Sequence, residues 1–315
     1  MTVFQNINLI CILGPTASGK TVFAAHLAGR LGGEIISADS RQVYRNMNIG
    51  TGKDLEDYKV NGIQIPFHLI DIADAGSEYN VFQFQKDFLE TFNDISGRGK
   101  IPVLCGGTGL YIEAVLRAYK LINVPVNDSL RNELEHLNMK ELESRLKAYR
   151  KLHNTTDITI RKRLIRAIEI EEYYLEHPEE DKTFPELRPV VLGIMTDRDN
   201  RRKRITERLN YRLKHGMIGE AEQLLNSGIS PEKLIFYGLE YKYLTLYITG
   251  KLSYDEMYLQ LNTAIHQFAK RQMTWFRKME REGTKIHWID GNLEMEEMEE
   301  IADRGIRIAD SGYSR

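Results

Sequence analysis

The feature that most constrains the fold is the stretch Gly14-Pro15-Thr16-Ala17-Ser18-Gly19-Lys20-Thr21, which fits the phosphate-loop pattern G-x-x-x-x-G-K-[ST]. Its flanks are the ones that pattern requires. Asn8 to Leu13 is a short apolar run with β-branched residues and predicts a buried parallel strand. Thr21 to Leu31 predicts a helix, with Val22, Ala25 and Leu27 at apolar positions and Gly32-Gly33 as its stop. The glycines let successive backbone N–H groups turn toward phosphate oxygens, and the helix N-terminus adds the positive end of a dipole. Lys20 is placed to reach the terminal phosphate, and the Thr21 hydroxyl to meet Mg²⁺. The loop reads as a site for a di- or triphosphate.

Further along, Glu34-Ile35-Ile36-Ser37 predicts a second strand that delivers Ala38-Asp39-Ser40-Arg41-Gln42-Val43-Tyr44 to its carboxyl end. Ligands of open α/β sheets bind at that rim, so Asp39 falls beside the phosphate loop. Asn48 to Asp54 is a glycine-punctuated loop with a second lysine, Lys53, and Phe67 to Asp71 reads as an extended piece ending in a carboxylate. The stripe Phe84, Phe88 and Phe92 marks a helix from Val81 to Asn93 that packs in the core. Ile101 to Cys105 is a further buried strand, turned into a helix by Gly106-Gly107-Thr108-Gly109-Leu110-Tyr111. Loops of this kind after successive strands imply an α/β fold: a P-loop NTPase-like parallel sheet flanked by helices.

From 120 to 185 the strand-like runs vanish, and Leu130, Leu134, Leu137, Leu142 and Leu146 form a helical stripe. This is a helical insertion, because Arg188 to Met195 restores a strand. The catalytic core is then discontinuous, 1–119 with 186–290, and 291–315 is set apart as a tail without clear chemistry. Asp197 to His215 is a densely basic helix whose first turns should lie near the rim. Tyr237 to Tyr241 is a glycine-bearing aromatic segment, Leu252 to Glu280 is one long helix starting at Ser253, and Lys285 to Asp290 is a last strand.

Composition narrows the partners. With a net charge of −2 over 315 residues, any polyanion must be held by local clusters of Lys and Arg. Cys11 and Cys105, the two cysteines, both lie in apolar runs and read as core residues of a reduced protein. The apolar run from Ile7 to Leu13 is too short to cross a bilayer and no cationic leader precedes it, so a cytoplasmic location without membrane contact is expected.

Together and in this order, these blocks resemble the tRNA dimethylallyltransferases of the bacterial type, which prenylate an adenine beside the anticodon. The resemblance runs through the phosphate loop, Ala-Asp-Ser-Arg-Gln-Val-Tyr at Ala38 to Tyr44, and Ile-Gly-Thr at Ile49 to Thr51. It continues through Gly-Gly-Thr-Gly-Leu-Tyr at Gly106 to Tyr111, Arg-Leu-Ile-Arg-Ala-Ile-Glu at Arg163 to Glu169, Arg-Ile-Thr-Glu-Arg at Arg204 to Arg208, and Lys-Arg-Gln-Met-Thr-Trp-Phe-Arg at Lys270 to Arg277. Two blocks depart from the family pattern. Gly52-Lys53-Asp54 stands where Ala-Lys-Pro is usual, and Phe236 to Tyr241 replaces an Ile-Gly-Tyr pattern.

The resemblance implies transfer of a dimethylallyl group from dimethylallyl diphosphate to N6 of the adenosine 3′-adjacent to the anticodon, in tRNAs reading codons that begin with U. It implies a catalytic set of Asp39, Thr16, Lys20 and Arg208. Gly14, Pro15, Thr16, Ala17, Ser18, Gly19, Lys20 and Thr21 would hold the diphosphate, with Mg²⁺ at Thr21. The exocyclic amine is barely basic, so a carboxylate must take its proton. Asp39 is the expected base; a Mg²⁺ ligand and a helix cap are its other two readings. The adenine must leave its stack, and Asp39, Ser40, Arg41, Gln42 and Thr108 are placed to receive it, Thr108 alternatively positioning phosphates. Lys162, Arg163, Leu164, Ile165 and Arg166 would grip the anticodon stem-loop, as would Lys270, Arg271, Gln272, Thr274, Trp275 and Arg277. A monomer is expected. The alternatives are a P-loop nucleotide or metabolite kinase, or an isopentenyltransferase acting on free adenine nucleotides.

Overall fold

The computed structural model describes residues 6–149, 160–177 and 184–312. The chain divides into two compact units, Met1–Tyr119 with Glu186–Arg315, and Lys120–Pro185. Stretches 150–159 and 178–183 of the expected insertion lie outside the described residues.

The first unit begins with β1 (Leu9–Leu13), α1 (Lys20–Leu31) and β2 (Glu34–Ala38). A small hairpin of β3 (Lys59–Val60) and β4 (Ile63–Gln64) precedes β5 (Phe67–His68), α2 (Val81–Gly97), β6 (Pro102–Gly106) and α3 (Gly109–Leu116). The second unit supplies α4 (Asp128–Glu135), α5 (Met139–Tyr149) and α6 (Arg161–Glu176). The first unit then resumes with β7 (Pro189–Met195), α7 (Arg198–Lys214), α8 (Met217–Asn226), α9 (Pro231–Tyr237) and α10 (Leu239–Ile248). It closes with α11 (Tyr254–Arg281), β8 (Ile286–Asp290) and α12 (Met295–Gly312).

Among the described residues, a six-stranded sheet runs in the order β5-β2-β6-β1-β7-β8, and every pairing in it is parallel. The fold is α/β and P-loop-like, as the strand–loop–helix order predicts. The five residues of β1 are all buried, because parallel sheets are covered on both faces. Alternation then divides them: Ile10 and Ile12 pack with Phe23, Leu27 and Val103 on one face, and Leu9, Cys11 and Leu13 with Phe84, Phe88 and Phe276 on the other. The phenylalanine stripe is therefore core. So are Cys11 and Cys105, which are free and buried; burial pushes the Cys105 thiol up to about 12.

Helix starts follow local chemistry. Asn80 and Gln83 form a reciprocal capping box on α2, and Ser253 and Glu256 form one on α11. A third cluster joins Ile205 and Leu209 of α7 with Met217, Leu244, Leu261 and Ile265. The second unit has its own core of Leu130, Leu134, Leu142, Leu146, Leu164 and Ile168.

Two expectations need correction, and a third stretch is resolved more finely. The stretch from Gly291 to Gly312 is more than a tail: α12 lays Met298, Ala302 and Ile306 into the sheet's first-face core. The extended piece at 67–71 stops after His68, because Leu69 (φ 60°) and Asp71 (φ 57°) enter the left-handed region. The segment Tyr237 to Tyr241 is a helix broken in two at Gly238, whose φ is 74°. Among the described residues, no helix is long and apolar enough to cross a membrane.

Candidate active site

The carboxyl ends of three strands meet at one point. Gly106 is the register partner of both Leu13 and Ala38, so the loops after β1, β2 and β6 leave the sheet side by side. A Cβ on Gly106 would stand 2.2 Å from the Ala38 carbonyl oxygen; only glycine permits that approach.

The phosphate loop leaves β1 with Ala17 at φ 62° and Gly19 at φ 85°, the left-handed turns that rotate its amides inward. The N–H groups of Ala17, Ser18 and Gly19 have no acceptor among the described residues. The Ser18 hydroxyl is buried without a partner among the described residues. Orphaned donors of this kind at a helix start fit an anion. Lys20 donates to the Pro15 carbonyl at a long 3.4 Å. Burial lowers its pKa, with Asp39 pulling the other way and Arg208 adding to the lowering. The Thr21 hydroxyl makes no hydrogen bond among the described residues, leaving it available to a cation. No group of three or more His, Cys, Asp or Glu side chains converges among those residues. The donor set thus suits Mg²⁺ bound mainly through phosphate oxygens and water rather than in an all-protein cage.

Asp39 follows β2. Its Oδ1 accepts from the N–H groups of Arg41 (2.8 Å) and Gln42 (3.3 Å), which fixes the carboxylate plane and ties down the 39–44 turn. Oδ2 has no protein partner among the described residues. No helix begins here, so one oxygen ties down a turn rather than capping a helix, and the other is free for chemistry. Thr108 clasps this turn to the β6 loop: its Oγ1 accepts from Ser40 N–H at 3.0 Å, and its own N–H donates to Ala38 O at 3.2 Å. Arg41 lies over the Tyr237 ring at 5.6 Å.

Arg208 comes from the middle of α7 and not from its first turns, where Arg202, Lys203 and Arg204 are exposed. It donates to Gly52 O at 3.2 Å, and Gln42 donates to the same carbonyl at 3.3 Å. The loop carrying Gly52 is held rigidly. Glu220 accepts the N–H groups of Asn48, Ile49 and Gly50. The Lys53 ammonium donates to Tyr44 O, Asn48 Oδ1 and Asp71 Oδ1. Lys53 and Asp71 are thus a structural staple, neither phosphate nor metal ligands.

The residues assigned to RNA divide. On α11, Lys270, Arg271, Thr274 and Arg277 are exposed. Gln272 is not: 7% exposed, it accepts from Thr16 N–H at 2.8 Å and donates to Gly107 O at 2.9 Å. It ties the phosphate loop to the β6 loop, a correction to its RNA assignment. Trp275 packs against Gly109, where a Cβ would lie 2.4 Å from the ring. In the second unit, Lys162 and Arg163 are exposed and unpaired among the described residues. Leu164 is fully buried in that unit's core and Ile165 packs against it, which removes Leu164 from any RNA surface. Arg166 is spent on Glu169 and the Val124 and Pro125 carbonyls. Periodicity could have found Leu164, since it continues the apolar face of α6; the roles of Gln272 and Glu220 rest on partners far apart in the chain.

A phosphate cradle, a half-free carboxylate and a guanidinium on the rim of one parallel sheet define a group-transfer enzyme acting on a phosphate ester. Comparison narrows the class. The IPP transferase family model matches residues 42–279, and the isopentenyl transferase model matches residues 7–65. The chain belongs to the IPP transferase family. It is 61% identical over 290 residues to tRNA dimethylallyltransferase 2 of Bacteroides fragilis, covering 92% of this chain and 95% of that protein. It is 55% identical over 299 residues to tRNA dimethylallyltransferase 1 of Geotalea uraniireducens, covering 94% and 97%. Among solved structures, the tRNA isopentenylpyrophosphate transferase of Bacillus halodurans superposes with a TM-score of 0.71 at 31% identity, covering 98% of each chain. A eukaryotic dimethylallyltransferase acting on tRNA gives 0.72 at 23% identity, covering 90% of this chain and 74% of that one, and speaks to the fold alone.

Proposed function

We propose that the protein transfers the dimethylallyl group of dimethylallyl diphosphate to N6 of the adenosine 3′-adjacent to the anticodon, in tRNAs that read codons beginning with U. Family membership supports the reaction, and the observation that carries the assignment of roles is Asp39. One of its oxygens is pinned by two backbone N–H groups and the other is uncommitted beside the phosphate loop.

The C–O bond to diphosphate breaks, the C–N bond to the adenine forms, and the N6 proton passes to Asp39 Oδ2. The amides of Ala17 to Gly19, with Lys20 and Arg208, stabilise the negative charge that grows on the leaving diphosphate. Thr16 is held in place for this by Gln272. When bound, Mg²⁺ supplies further neutralisation of the diphosphate, with Thr21 as the residue that holds it. The turn of Ser40, Arg41 and Gln42, clasped by Thr108, receives the base once it has left its stack. The exposed Lys270, Arg271 and Arg277, and Lys162 and Arg163 in the second unit, bind stem-loop phosphates.

A base acts only in the transition state, so Asp39→Asn should lower kcat by about 10²–10⁴-fold and leave KM for both substrates nearly unchanged. Single-turnover rates of the variant across a Mg²⁺ titration, at saturating diphosphate substrate, check this. A rate that recovers with added metal would move Asp39 from base to metal ligand.

A further inference from the structure

Arg212 lies one helical turn beyond Arg208 on α7, and the two guanidinium groups converge on Gly52. A Cβ on that glycine would stand 1.8 Å from Arg212 Nη2 and 2.3 Å from Arg208 Nη2. Gly52 itself has φ 68°, so the glycine is doubly required: for its backbone, and for the room it leaves to two cations. Both arginines line a cavity of about 20 Å³ whose other wall includes Thr16 and Ala17 of the phosphate loop, with Glu240 beside them.

Glu240, Asp54 and Asp57 lie within electrostatic reach of this corner, yet none pairs directly with its arginines among the described residues. Arg208 makes one hydrogen bond, to a neutral carbonyl, and Arg212 makes none among the described residues. Neither forms an ion pair there, although Arg212 is partly buried. Burial, and then the charge on Arg208, push the Arg212 guanidinium down to about 10. Glu240 is near enough to feel both arginines, yet its carboxyl is raised, burial outweighing their attraction. Burial, and then the charge on Asp54, raise the Asp57 carboxyl against the pull of Arg208, Arg212 and Lys20. Two like charges packed side by side, without a salt bridge, against a loop of orphaned amides are a site waiting for an anion of more than one charge.

We propose that Arg212 is a second diphosphate-binding guanidinium, which with Arg208 and Lys20 clamps the diphosphate from the side opposite the phosphate-loop amides. Glu240 lines the same cavity beside Arg212 without a hydrogen bond to it among the described residues. The proposal rests on the phosphate loop being the diphosphate site. It adds to that reading a residue that stood in the sequence only as one of a run of basic positions.

The test is the affinity of the full chain for inorganic diphosphate with Mg²⁺, measured by calorimetry for wild type, Lys20→Ala, Arg208→Met and Arg212→Met. Arg212→Met should weaken binding by about 10- to 100-fold, the worth of charge-assisted hydrogen bonds to one guanidinium. Arg212→Lys should recover part of the loss. If Arg212→Met folds poorly because Glu240 is left alone, Arg212→Met/Glu240→Gln removes that carboxyl and should show the same loss of affinity. If Arg212→Met, alone or with Glu240→Gln, binds diphosphate as wild type does while Lys20→Ala does not, the Arg212 assignment is wrong and the phosphate-loop reading stands. If Lys20→Ala also binds as wild type does, both fall together.

Discussion

Glu34 sits at the start of β2 with its side chain 3% exposed, between three cationic or protonatable neighbours. Arg98 takes both oxygens, Lys100 bonds Oε1 at 2.7 Å, and His68 bonds Oε2 at 2.8 Å. The Arg98 hydrogen bonds, more than any other cause, hold this carboxyl far below the usual range. A depressed carboxylate stabilises the fold above its unfolded value of about 4.3 and loses that contribution as pH falls through and below it. Glu34→Gln should therefore cost about 1–3 kcal/mol near neutral pH, at the modest end for a buried ion pair because Arg98 and Lys100 stay solvated. The variant should also show a flatter loss of Tm than wild type as pH is lowered from about 5 to about 2. Parallel Tm–pH curves would mean the network contributes nothing to acid stability. At this scale the sequence was most legible where one residue type has one use. Lys20 and Thr21 could be placed at the phosphate loop's helix start, and Asp39 at the end of its strand, from the sequence alone. Gln272, Glu220 and Arg212 could not. Their partners are backbone groups and glycines as many as 256 positions away, and a lone Gln, Glu or Arg on a helix carries no mark of that.

Among the elements, α11 shows how one helix can serve two masters. Leu261, Ile265, Ala269, Met273 and Phe276 bury one side, Gln272 reaches between two loops, and Lys270, Thr274 and Arg277 face water. If that exposed stripe meets RNA phosphates, substituting Lys270 and Arg277 with Ala should weaken binding of an anticodon stem-loop. It should also flatten the slope of log affinity against log salt by roughly one unit for each phosphate no longer neutralised. An unchanged slope would return the stripe to ordinary solvated surface. The long helix was legible because its cap, its period and its length all agree. Helix α12 carries the same kind of period, Met298, Ala302 and Ile306 recurring on one face between glutamates, and the acidic composition of the stretch masked it. The short β5 was over-read for the opposite reason. Its residues look extended, yet left-handed backbone at Leu69 and Asp71 turns the chain out of the sheet.

On the scale of the whole molecule, function depends on topology: parallel strands bring the loops at 14–21, 39–44 and 107–111 to one edge, and α7 and α11 deliver Arg208, Arg212 and Gln272 to it. The order of strands and loops could be read from the chain, and with it the rim. The closeness of α7 to the Gly52 loop could not, since it follows from packing in a helical cluster whose members are far apart in the chain. The central claim is that this rim joins an allylic diphosphate to an adenine presented by RNA. Its most direct test is to incubate the full chain with labelled dimethylallyl diphosphate, Mg²⁺ and either an anticodon stem-loop, AMP or ATP, and to locate the label by mass spectrometry of the digested nucleosides. The account predicts label on the adenosine 3′-adjacent to the anticodon and none on the free nucleotides. Label on AMP or ATP with none on the RNA would contradict it.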